Sequence, residues 1–99
     1  MVAINDINGI DETEAHLVKQ AFGEVVRHRR EKAGFDQRPF SRIVGISNSH
    51  LRAIESGQVS PTVVTICKIC SVLECDTSQL FIELDDILKA KRARQRGNH

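Results

Sequence analysis

Apolar residues in this 99-residue chain recur at helical spacing, and the polar stretches between them carry signals that start and stop helices. From Thr13 onward Leu17, Val18, Ala21, Phe22, Val25 and Val26 share one face of a first helix that ends before Gly34. Gly23 lies inside it and is about 1 kcal/mol poorer than alanine as a helix former, so the pattern is compatible with a break there. Asp36 is an N-cap for a second helix. Pro39 falls in its first turn, where the missing N–H costs nothing, and Phe40, Ile43 and Val44 form its buried stripe. Gly45 ends that helix in the left-handed conformation. Ile46 anchors the turn, Ser47 caps a third helix with Leu51 and Ile54 facing inward, and Ser56-Gly57 closes it. Ser60-Pro61 reads as N-cap and first residue of a fourth helix, with Val64, Cys67 and Leu73 turned to the core. Asp76 and Gln79 have the spacing of a capping box for a fifth, whose Leu80, Phe81, Leu84, Ile87 and Leu88 span about 120° of its circumference.

The pattern predicts an all-α chain of five helices with short connections and no repeats. It divides into an N-terminal arm over 1–12, where Asn8-Gly9 interrupts scattered aliphatics, a helical domain over 13–88 and a basic tail over 89–99. A chain of this length buries one core and leaves no room for an effector-binding or catalytic domain beside a five-helix unit, so control is expected to come from elsewhere. No apolar run approaches the roughly 18 residues of a membrane span or a signal-peptide core, and a cytoplasmic site is expected.

The third helix presents Asn48, Ser49, His50, Arg52 and Ala53 outward. This face is short, polar and rich in groups that both donate and accept hydrogen bonds, as reading base edges in a DNA major groove requires; a merely solvated helix more often carries Glu and Lys there. The net charge of +1 conceals strong segregation. Met1 to Val26 sets five acids against Lys19, for −4; Arg27 to Gly57 sets Arg27, Arg29, Arg30, Lys32, Arg38, Arg42 and Arg52 against Glu31, Asp36 and Glu55, for +4. Gln58 to Leu88 returns to −4, and the tail carries Lys89, Lys91, Arg92, Arg94 and Arg96, for +5. Local potential at a docking face, rather than total charge, sets phosphate attraction. The bland alternative is that both basic segments are solvated helix faces; for the tail the two readings stand level. If it is not one, the tail frays and offers sequence-independent phosphate contacts.

The run from Asp36 to Gly57 resembles the helix-turn-helix domain of the Cro/C1 repressor and Xre-type regulator family. Arg30, Gln37, Phe40, Gly45, Ile46, Ser47, Leu51, Ile54, Glu55, Gly57, Pro61 and Leu73 stand where that pattern wants them, and the resemblance covers roughly Phe22 to Phe81. It implies the five-helix, lambda-repressor-like fold with extended first and last helices, and a structural ion pair between Arg30 and Glu55. It implies too that Gln37 contacts phosphate or braces the recognition helix, that Asn48 and Ser49 read bases, and that His50 and Arg52 read bases or hold phosphates. Ala53 is placed to touch a thymine methyl, and Arg38 and Arg42 to attract phosphate. Pro39 and Ser41 replace the family's usual acidic residue and alanine, and Glu74 replaces the usual glycine after the fourth helix, where a left-handed residue other than glycine costs about 1 kcal/mol and another turn geometry is open. The family also contains activators, restriction–modification controllers and antitoxins.

The wide stripe of the fifth helix leaves one edge over, and two motifs related by a two-fold axis read half-sites about one DNA turn apart. Phe81, Ile82 and Leu88 are therefore candidates for a homodimer interface; the alternative is that Phe81 and Leu88 complete the core and Ile82 is a scattered surface apolar. Cys67, Cys70 and Cys75 contain a C-x-x-C, but no second ligand pair accompanies it, so all three are expected in the core and no metal or other cofactor is implied. The histidines are scattered and Ser49-His50 point in different directions, so no catalytic residue is assigned. The expected function is a sequence-specific regulator of transcription on double-stranded DNA; the alternative is an interaction module of the same fold that binds a protein partner.

Overall fold

The structure, a computed structural model, describes residues 11–97. The described residues form five α-helices and no strand: α1 (Glu12–Lys32), α2 (Gln37–Val44), α3 (Asn48–Glu55), α4 (Val63–Leu73) and α5 (Thr77–Gly97). The expected all-α, five-helix architecture is the one observed, with first and last helices of 21 residues each. The expected arm lies, up to residue 10, outside the described residues.

Local hydrogen bonds explain where the helices begin. Asp11 caps α1, its carboxylate accepting from the Glu14 N–H at 2.8 Å, and the Ser47 hydroxyl accepts from the His50 N–H of α3 at 3.0 Å. Asp36 has the extended backbone of an N-cap, yet its carboxylate makes no capping bond. Helix α4 opens later than Ser60-Pro61 suggests: the Thr62 hydroxyl accepts from the Thr65 N–H at 3.2 Å, so Thr62 is the cap and Pro61 stays outside the helix. At α5, Gln79 Oε1 accepts from the Asp76 N–H at 2.9 Å, one arm of the capping box.

Helix ends are set by left-handed residues. Gly45 (φ 90°, ψ 31°) turns the chain between α2 and α3. Glu74 adopts the same region (φ 54°, ψ 44°), so the departure from glycine changes the residue and not the turn. Two bonds hold it there: the Cys75 N–H donates to the Cys70 carbonyl at 3.1 Å and the Glu74 N–H to that of Ser71 at 3.3 Å.

Val25, Val26, Phe40, Leu51, Ile54, Ile69 and Leu80 are the largest side chains wholly removed from solvent. Two helices face differently from expectation. Ile43 is 59 % exposed, because the short α2 buries only Phe40, Ser41 and Val44; the Ser41 hydroxyl tolerates burial by donating to the Arg38 carbonyl at 2.9 Å. Helix α4 is apolar nearly all round, so periodicity left its phase open: Ile69 and Cys70 are buried, Leu73 is partly covered, and Val64 and Cys67 are exposed.

Helix α1 runs unbroken through Gly23. A Cβ there would lie 2.5 Å from the Ile54 carbonyl oxygen and 2.6 Å from that of Glu55, so glycine is what lets α1 press directly on the end of α3. Helix α5 lies antiparallel along α1 and does not fray after Leu88. It continues to Gly97, where Lys91 Nζ pairs with Glu24 at 2.9 Å and Arg92 pairs with Glu14. Ala90 and Ala93 are strong helix formers in that stretch.

Candidate nucleic-acid interface

Helix α3 is held from behind and presents its other face to solvent. Leu51 and Ile54 are fully buried beneath it. At its last turn Arg30 Nε and Nη2 donate to Glu55 Oε2 and Oε1 at 2.7 and 3.0 Å, and Gln37 Nε2 donates to Oε1 at 2.9 Å. Arg30 Nη1 donates in addition to the Phe35 carbonyl at 2.6 Å. The Arg30 and Glu55 side chains are 8 % and 4 % exposed, so this is a buried, bidentate pair. The hydrogen bond to Glu55 holds the Arg30 guanidinium above its ordinary value against the opposing effect of burial. The Glu55 carboxylate thus ties α3 to α1 and α2, and the same Arg30 guanidinium secures the α1–α2 turn. Gln37 is committed to it by its amide nitrogen, in the bracing geometry rather than free at the surface.

On the outer face Ser49 and Arg52 are exposed, and Asn48, His50 and Ala53 are half-buried. Asn48 Oδ1 is buried and has no hydrogen-bond partner among the described residues. An orphaned acceptor of this kind costs about 1–3 kcal/mol. Ser49, Arg52, Ala53, Ser56 and Gln58 line an open hollow of about 380 Å³. Ser56 and Gln58 were not candidates from the sequence; their position within about a turn of Arg52 and Ala53 was the available signal.

The cations differ in whether a carboxylate reaches them. Arg38, Arg42 and Arg52 are exposed and form no ion pair among the described residues. On α1 and α5, in contrast, Arg27 pairs with Glu31 at 3.6 Å, Lys89 with Asp85 at 3.4 Å, and Lys91 and Arg92 with α1 as described. Arg29 hydrogen-bonds Glu83, which raises the Arg29 guanidinium above its ordinary value. Three unpaired arginines therefore flank the recognition helix on α2 and α3, whereas of the five tail cations Lys91 and Arg92 are paired with α1, Lys89 is paired within α5, and Arg94 and Arg96 have no carboxylate partner among the described residues.

Of the three interface candidates on α5, Phe81 and Ile82 are 45 % and 62 % exposed, and the Phe81 ring sits 6.2 Å from that of Phe22. Leu88 is 7 % exposed and belongs to the core. Because α5 continues past it along α1, Leu88 has no surface left for a partner. Among the described residues no cluster of three or more His, Cys, Asp or Glu is arranged to hold a metal ion, and no helix is long and apolar enough to cross a membrane.

The helix-turn-helix family matches residues 26–80, over half of the chain. Two structures of the clp gene regulator ClgR from Corynebacterium glutamicum superimpose with TM-scores of 0.77 and 0.67, at 20 % and 21 % identity. They cover 81 % and 71 % of this chain and 85 % and 91 % of their own. The restriction-modification controller protein C.AhdI from Aeromonas hydrophila superimposes with a TM-score of 0.60 at 26 % identity, over 62 % of this chain and 92 % of its own. No curated protein matches the chain in sequence.

Proposed function

Because the chain belongs to the helix-turn-helix family, of the Cro/C1 and Xre type, we propose that it regulates transcription by binding specific duplex-DNA sites as a homodimer in the cytoplasm. The observation that carries this reading is the combination at α3: a polar outer face beside three unpaired arginines, backed by a recognition helix locked through Glu55. Asn48 and Ser49 read base edges, His50 and Arg52 read bases or hold phosphates, and Ala53 meets a thymine methyl. Arg38 and Arg42 hold phosphates, and Gln37 acts by bracing. Repression by occluding polymerase is the simplest outcome of such binding. Phe81 and Ile82 are the exposed apolar residues we assign to the dimer contact.

Selection of sites from random duplex DNA tests the reading. An enriched site with two half-sites about one helical turn apart, bound with a steep salt dependence, is the expected result. Absence of any enriched site, together with tight binding of a protein and no affinity for DNA, overturns it in favour of the interaction module.

A further inference from the structure

The joint between α4 and α5 gathers three reduced thiols: Cys67 is exposed, Cys75 half-buried and Cys70 buried. The left-handed Glu74 folds the chain back so that the Cys75 N–H donates to the Cys70 carbonyl at 3.1 Å. With that bond in place, standard bond lengths keep the two α-carbons within about 7 Å of each other. In this helix-ending motif the side chains at these two positions are the ones that meet, and disulfides span α-carbon separations of that order. Cys75 packs against the same core that contains Cys70.

We propose that Cys70 and Cys75 are a thiol–disulfide switch that locks the α4–α5 joint when a peroxide is present. The inference does not depend on what the chain binds. Burial, reinforced by the neighbouring Cys75 thiol, pushes the Cys70 thiol up to about 11, so it is a poor first target at neutral pH. Cys75 is the more open of the two. Its thiolate takes an oxygen from the peroxide, giving a sulfenic acid and, from hydrogen peroxide, one water. The Cys70 sulfur then attacks the Cys75 sulfur, and the displaced hydroxide leaves as a second water with the Cys70 proton. Two thiols are oxidised to one disulfide and one peroxide is reduced. A dithiol reductant reverses the step.

The folded full chain, treated with hydrogen peroxide, alkylated and digested without reduction, provides the test. Trypsin cuts after Lys68 and Lys89 and so separates Cys67 from the pair, which stays within Ile69 to Lys89. The expected product is that peptide short of two hydrogens, unchanged in Cys67→Ser and lost in Cys75→Ser. Its rate of formation should rise with pH, by up to about tenfold per unit, as Cys70 ionises. Three outcomes overturn the proposal: a disulfide that joins the Cys67 peptide to the pair, a Cys70–Cys75 bond that forms only in urea, or thiols that are all alkylated after oxidation.

Discussion

Replacing Glu55 with alanine removes a carboxylate that accepts three hydrogen bonds, two from Arg30 and one from Gln37. Exposed ion pairs are worth about 0.2–1 kcal/mol, whereas removing one partner of a buried pair costs about 3–5 kcal/mol because the other charge is left without compensation. Side-chain exposures of 8 % and 4 % place this pair in the second class. Arg30 retains its bond to the Phe35 carbonyl, and the half-buried Gln37 is able to turn toward water, which puts the cost at the low end, about 3 kcal/mol. For a domain of this size each kcal/mol moves the melting temperature by roughly 4–8 °C, so Glu55→Ala should melt about 12–24 °C below the parent. Thermal and urea melts followed by far-ultraviolet circular dichroism measure it. The companion Arg30→Met/Glu55→Leu removes both charges and should recover much of the loss. A single variant that melts within about 4 °C of the parent, or a double variant no more stable than the single, would refute the argument from burial.

Three further outcomes follow from the same geometry. Changing Asn48 and Ser49 together to alanine should cost about 1–3 kcal/mol per good base contact and bring specific binding toward the non-specific level, with the melting temperature not lowered, because the orphaned Asn48 acceptor is removed as well; an unaltered footprint would remove both residues from base reading. Gly23→Ala gains helix propensity of about 1 kcal/mol, yet its Cβ meets backbone oxygens at 2.5 and 2.6 Å. Net destabilisation of about 1–3 kcal/mol is therefore expected in a urea melt, and a more stable variant would show that α1 and α3 separate freely. Truncation after Leu88 removes five cations, but only Arg94 and Arg96 lack a carboxylate partner among the described residues. At about 0.9 per phosphate contact, the slope of log K against log salt should fall by at most about 1.8 per protomer; a fall near 4.5 per protomer would mean that all five contact DNA.

What could be read from the sequence depended on how local the cause was. The Gly45 turn and the Ser47 cap are set within a few residues, and the recognition helix followed from them. Start points blurred where two caps compete, as Thr62 does with Ser60-Pro61. Facing failed where apolarity is uniform, as on α4, or where a helix is too short to bury a full stripe, as at Ile43. Gly23 looked like a weakness in α1 because its compensation, the carbonyls of Ile54 and Glu55, comes from another helix.

Charge is the deepest case. The sequence shows two basic segments, one on the motif and one at the tail, and counting cannot rank them. Their difference lies in partners far away along the chain: Arg29 meets Glu83 across 54 residues and Arg92 meets Glu14 across 78. Neutralising the α5 cations against the acidic half of α1 fastens the long helices to each other. It also cuts the tail's free cations among the described residues from five to two, Arg94 and Arg96, so the competition for phosphate that Arg38, Arg42 and Arg52 meet beside the recognition helix is weakened. The tail and the first helix thus form one device in which Lys91 and Arg92 are neutralised by Glu24 and Glu14, while Arg38, Arg42 and Arg52 keep their charge beside the recognition helix.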